Sequence, residues 1–106
     1  MEWNFDDFKN RAKDNKLTPS EKVGFPESYR KGKEHLILED ILKKTNLSTN
    51  QRVLDIGCGC SDLTYLLIRY CEENEINLFL NDSHEMLSQL NFSNSKNIKL
   101  IPGKFP

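Results

Sequence analysis

The chain has 106 residues, 29% of them charged and 37% apolar, with a formal net charge of -1. That mix predicts one compact globular domain with a modest core, and it argues against a disordered chain and a basic nucleic-acid footprint. No apolar run reaches the ~20 residues of a membrane span, and three cysteines behind an acidic N-terminus with no apolar leader predict reduced thiols in a cytoplasmic protein.

Residues 3–14 read as a short amphipathic helix, with Trp3, Phe5, Phe8 and Ala12 as its apolar positions. Residues 15–26 hold Thr18, Pro19, Gly24 and Pro26, breakers that predict a connector or lid. Residues 1–26 thus form an N-terminal segment ahead of a domain over 27–106. A stronger helix over 27–44 follows Pro26. Glu27 favours its first turn, while Lys43 and Lys44 favour its last.

Val53 to Ile56 is a short strand running into Gly57-Cys58-Gly59. Leu63, Leu66, Leu67, Tyr70 and Cys71 then recur at helical spacing. Ile76 to Leu80 predicts a second strand, and Asp82 or Ser83 is placed to cap a third helix bearing Met86, Leu87 and Leu90. Ile98 to Ile101 predicts a third strand, halted by Pro102 and Gly103. The order strand, helix, strand, helix, strand with short loops indicates an α/β fold of parallel βαβ units with right-handed crossovers.

The chemistry concentrates where the first strand turns into a helix. Glycine has no Cβ, so Gly57 and Gly59 let the backbone turn sharply and approach a ligand closely. In open α/β sheets, ligands bind at the carboxyl ends of the strands, where this turn sits. A dinucleotide fingerprint would need G-x-G-x-x-G to face a pyrophosphate. Here Asp62 holds the third glycine position and Asp55 lies two residues before Gly57. Those carboxylates oppose a pyrophosphate. They suit S-adenosylmethionine, which has no phosphate and carries a sulfonium and an ammonium. The second strand also ends in a polar pair, Asn81 and Asp82, where a carboxylate can accept from both hydroxyls of a ribose.

Val53 to Gly59 resembles motif I of the class I S-adenosylmethionine-dependent methyltransferases, a hydrophobic strand with an acidic residue before G-x-G. Asn81 to Leu87 resembles the stretch that follows motif I, an acidic strand end running into a Ser-x-Glu-Met-Leu helix start. The resemblance covers about residues 30–106. It implies a Rossmann-like parallel sheet in a three-layer αβα arrangement, with N-terminal helices and an S-adenosylmethionine site. Asp55 would lie near the methionine moiety. Gly57, Cys58 and Gly59 would line the cofactor, and Asn81, Asp82 and Ser83 would hold the ribose end. Ungapped alignment puts Asn81 in the acidic position, but an aspartate binds a diol better than an asparagine, which favours Asp82.

The chain departs from the family at Ser61, where a third glycine is usual, and in extent. Only the first three strands of the family's larger sheet are present, so the catalytic residues are not identified and the chain reads as truncated. The first strand would then present an open apolar edge able to pair with another copy. The implied reaction is methyl transfer to an acceptor not named by the residues, of the small-molecule or sugar class. The alternative is a non-catalytic module that binds S-adenosylmethionine or completes a partner's sheet.

Other candidates are weaker. Cys58 and Cys60 are one residue apart, which is not a zinc spacing, and no metal site is expected. The place of Cys58 before a helix N-terminus predicts a lowered thiol pKa and reactivity with alkylating agents. His35 pairs in sequence with Glu39 on a helix surface. His84 is a poor candidate base. Trp3, Phe5 and Phe8 suit core packing better than a pocket cap. Tyr29 and Arg30 are placed to reach a cofactor only if the preceding helix points them there.

Overall fold

The computed structural model describes residues 4–23, 32–92 and 95–104. Five helices and three strands alternate through them: α1 (Phe5–Lys13), α2 (Pro19–Lys22), α3 (Glu34–Thr45), β1 (Arg52–Ile56), α4 (Asp62–Glu73), β2 (Asn77–Asp82), α5 (His84–Leu87) and β3 (Ile98–Pro102). The strands form one sheet in the order β1-β2-β3, with both pairs parallel. The expected α/β architecture with a parallel sheet is therefore present. Trp3, Tyr29, Arg30 and the predicted helical stretch 27–31 lie outside the described residues.

Local sequence explains most boundaries. Asn4 caps α1 through a reciprocal box, in which its Oδ1 accepts the Asp7 N–H at 2.9 Å and Asp7 Oδ2 accepts the Asn4 N–H at 3.0 Å. The predicted connector contains a helical turn, α2. Thr18 and Glu21 form a second capping box there, with Pro19 in the first turn. Asn46 ends α3 in the left-handed region at φ 52°, a conformation asparagine tolerates better than most residues. Three elements differ most from the sequence reading. The helix expected over 27–44 begins at Glu34 among the described residues, because Gly32, at φ 79°, and Lys33 form a turn ahead of it. β2 begins one residue later and runs on to Asp82, because the Asp82 carbonyl still accepts the Gly103 N–H at 2.9 Å. The third helix stops at Leu87 and does not reach Leu90. Ser88 turns its hydroxyl back onto the Glu85 carbonyl at 2.7 Å, and Asn91 donates to the Tyr65 hydroxyl instead of a helix carbonyl.

Successive strand residues point to opposite sheet faces, and parallel partners in register share a face. Val53, Leu78 and Ile98 are in register, as are Asp55, Leu80 and Leu100. On that face Leu78, Leu80 and Ile98 join one core with Leu38 of α3, Leu67, Ile68 and Cys71 of α4, and Leu87 of α5. Burying each such aliphatic side chain contributes about 1.5–3 kcal/mol. The opposite face carries Leu54, Ile56 and Ile101, which are 44%, 53% and 41% exposed. It is apolar and open along these residues. β1 and β3 are the sheet edges among the described residues. A second, smaller core of Ala12, Cys60 and Met86, flanked by Phe8, Val23 and Leu90, fastens α1 and α2 over the carboxyl end of the sheet.

Candidate functional site at the glycine turn

β1 leads into a turn held by the end of β2. The Asn81 carbonyl accepts two successive amides of the turn, Gly57 at 2.8 Å and Cys58 at 3.1 Å. The next glycine amide, Gly59, donates to Asp82 Oδ2 at 2.9 Å, while Asp82 Oδ1 accepts the Ser83 N–H at 2.8 Å. Thr64 in the first turn of α4 donates its hydroxyl to the Cys58 carbonyl at 2.9 Å. Gly57 and Gly59 both sit at positive φ, 69° and 71°. An L side chain at either position would be in a poorly populated region. At Gly59 a Cβ would also run into the Val23 side chain, whose own Cβ would lie only 3.3 Å from it.

Asn81 and Asp82 divide the work. The Asn81 side chain is buried and donates through Nδ2 to the Ile101 carbonyl at 2.9 Å and the Gly103 carbonyl at 3.1 Å. Two carbonyl acceptors fix which end of that amide is nitrogen. Asn81 thus ties the ends of β1, β2 and β3 together. Asp82 is partly exposed and presents its carboxylate beside the glycine turn. Ser83 is buried, and its hydroxyl accepts the Met86 N–H at 3.1 Å as the cap of α5.

Two cavities flank the turn. The larger, about 360 Å³, lies between Gly57 and Gly59, the Asn81–Asp82 pair, Ile56, Met86, and the α1 side chains Phe5 and Phe8, with Lys104 at its border. The smaller, about 230 Å³, is lined by Asp55, Gly57, Cys58, Ile41, Leu63 and Leu67. Val23 lines both. Set against known proteins, the chain matches no family model, no curated protein and no solved structure.

The electrostatics of the turn are acidic and dry. Burial holds the Asp55 carboxyl above the usual carboxylate value, and the neighbouring charge of Asp82 raises it further. Burial pushes the Cys58 thiol well above its ordinary value, with the charges of Asp55 and Asp82 adding to the shift. This corrects the expectation of a lowered, reactive thiol: desolvation and two carboxylates outweigh the nearby helix N-terminus. Cys60 rises to about 11, again first through burial, with Lys22 opposing and Asp82 reinforcing the shift. Cys71 is buried in the main core and rises to about 11 for the same primary reason.

Asp55, Gly57, Cys58, Gly59, Asn81 and Asp82 all border one or both cavities, and Ser83 caps α5 just beyond the second strand's end. Ser83 itself faces a separate, shallow depression beside His84 and Phe5. His35 and Glu39 are exposed on α3, and His84 is exposed on α5. Among the described residues no group of three or more His, Cys, Asp or Glu side chains could hold a metal ion, and no helix is long and apolar enough to cross a membrane. Sequence reasoning did not anticipate the approach of Val23 to Gly59, and it ranked core packing above a pocket cap for Phe5 and Phe8, which both line the larger cavity while Phe8 also packs on the smaller core. The apolar periodicity of α1 marked both phenylalanines as buried, but it carried no information about which surface they meet.

Proposed function

We propose that this chain is the cofactor-binding part of a class I S-adenosylmethionine-dependent methyltransferase. The observation that carries the reading is the Asp82 carboxylate, held at the lip of the larger cavity by the Gly59 N–H, with Asp55 in the adjoining one. A ligand with a ribose diol at one end and a cationic amino-acid end at the other matches these two carboxylates in chemistry and in separation into two cavities. A pyrophosphate would meet negative charge at both places. When bound, the cofactor would supply an electrophilic methyl group on sulfur. The chain's own residues would bind it, orient it and exclude water, which is how positioning accelerates a transfer reaction. The acceptor belongs to the small-molecule or sugar class in this reading. The open face at Leu54, Ile56 and Ile101 is where the remaining layer of a three-layer Rossmann-like domain would pack.

Isothermal titration of the chain with S-adenosylhomocysteine tests the reading, alongside Asp55→Ala and Asp82→Ala. Saturable one-to-one heat that either substitution weakens supports it. Absence of heat from a chain with a cooperative thermal transition overturns it.

The exposure of Leu54 and Ile56 on edge strand β1 favours one second reading, a module that completes another chain's sheet. Sedimentation velocity of the chain against Ile56→Lys separates the two. Self-association abolished by the lysine, together with no heat in the titration, would favour the module.

A further inference from the structure

Val23 follows the last turn of α2 and lies against the glycine turn, where its Cγ1 and Cβ fill the space a Gly59 side chain would need. It is the side chain common to the two cavities besides the shared Gly57 backbone. Its position is not loose. Lys22, one residue earlier, is buried and donates through Nζ to the Ala12 carbonyl at 2.9 Å and to Gln89 Oε1 at 2.7 Å. The Arg11 guanidinium donates to the Glu21 carbonyl, with Nε at 2.9 Å. Val23 also packs on the Ala12–Cys60–Met86 cluster. A buried lysine with two acceptors resists removal, because breaking the pair strands a charge away from water. Thus α2 is strapped to α1 and to the residues after α5, and the strap holds a valine over the turn.

We propose that Val23 is a specificity-determining residue, a partition that separates a nucleoside chamber from an amino-acid chamber. This rests on the cofactor reading above. A ligand confined to the larger chamber binds without disturbing the strap. A ligand that continues past Gly57 toward Asp55 has to push Val23 aside and disturb the packing that holds it. The partition therefore discriminates against the longer ligand relative to the shorter one, because the strap resists displacement of Val23.

The test compares two ligands that share an adenosine thioether. 5′-Methylthioadenosine ends in a methyl group, while S-adenosylhomocysteine carries the amino-acid tail. Both are titrated into the wild-type chain, Val23→Ala and Val23→Ile, with thermal melts recorded for each. Val23→Ala is expected to tighten S-adenosylhomocysteine by about tenfold, the scale of a small change in an apolar pocket, and to leave 5′-methylthioadenosine unchanged or weaker, because Val23 also lines the chamber that ligand occupies. Val23→Ile is expected to shift the ratio the opposite way. Equal changes for both ligands, no change for either, or weaker S-adenosylhomocysteine binding by Val23→Ala would overturn the partition while leaving the cofactor reading intact. Failure of every folded variant to bind either ligand would remove the cofactor reading, and the partition with it.

Discussion

The carboxylate of Asp82 accepts the backbone N–H of Gly59 across 23 residues of sequence, at 2.9 Å. The same side chain accepts the N–H of Ser83 through its other oxygen. One aspartate thus shapes the glycine turn and starts α5. A carboxylate can serve two N–H donors at once, whereas an asparagine must turn its NH₂ toward one of them. Asp82→Asn is therefore expected to cost about 1.5–3 kcal/mol, the worth of a hydrogen bond to a charged group. Each kcal/mol lowers Tm by about 4–8 °C in a chain of this size. Circular dichroism melts measure it, and an unchanged Tm would mean that the turn does not depend on the carboxylate.

Asn81 occupies the place where alignment to the methyltransferase motif puts an acid, yet its amide nitrogen satisfies two carbonyls at the end of β3. Asn81→Asp would turn a donor into a third oxygen facing two others, beside the charge of Asp82. The expected destabilisation is about 2–4 kcal/mol, from stranded buried acceptors. Urea denaturation monitored by fluorescence would reveal it. A variant of wild-type stability that also binds S-adenosylhomocysteine more tightly would instead assign the ribose to position 81.

The raised Asp55 pKa makes stability depend on pH in a defined direction. A folded carboxyl that holds its proton more strongly than the unfolded value of 3.8 gives stability that is fully present below that value. It is lost as pH rises through the folded pKa. Asp55→Asn removes the dependence. In urea unfolding across pH 3.5 to 7, about the range in which carboxyl groups titrate, the variant should gain on the wild type as pH rises. A difference curve that is flat across this range would show that Asp55 is solvated like an ordinary aspartate.

All three thiols should be slow to react in the folded chain. With Cys60 and Cys71 raised to about 11 and Cys58 higher still, the thiolate fraction at pH 8 is on the order of one in a thousand or less. Labelling with iodoacetamide at that pH is expected to follow unfolding, with all three sites modified together in urea. Rapid native modification of Cys58, located by mass spectrometry, would contradict the effect of burial. The same shifts predict stability falling as pH rises from the ordinary thiol value of 9.0 toward about 11.

Much of the architecture was legible because its signals are local. Leu63, Leu67 and Cys71 repeat at helical spacing, and all three face the observed core. The apolar run from Ile76 to Leu80 marked the second strand, and its Leu78 and Leu80 are buried in the core. Cap chemistry at Asn4 and Thr18 is equally local but went unread, because the connector's breakers concealed the short α2 that Thr18 starts and the first helix was placed over 3–14, with Asn4 inside it. Leu90 misled the reading of helix length, since it packs on both cores from beyond the end of α5. A side chain can keep its apolar contact after its backbone has left the helix.

By itself, the sequence determined the parallel strand–helix alternation, the sharp turn at Gly57 and Gly59, and the acidic residues around it. Hydrophobic periodicity and the lack of a Cβ act over a few residues and need no partner. Only the tertiary structure decided that Asn81 is a tie between strands while Asp82 faces the turn, that Val23 covers Gly59, and that the thiols are raised and not lowered. Each depends on groups distant in sequence arriving at one place, where burial and neighbouring charge, set by the packed whole, override what the local chain prefers.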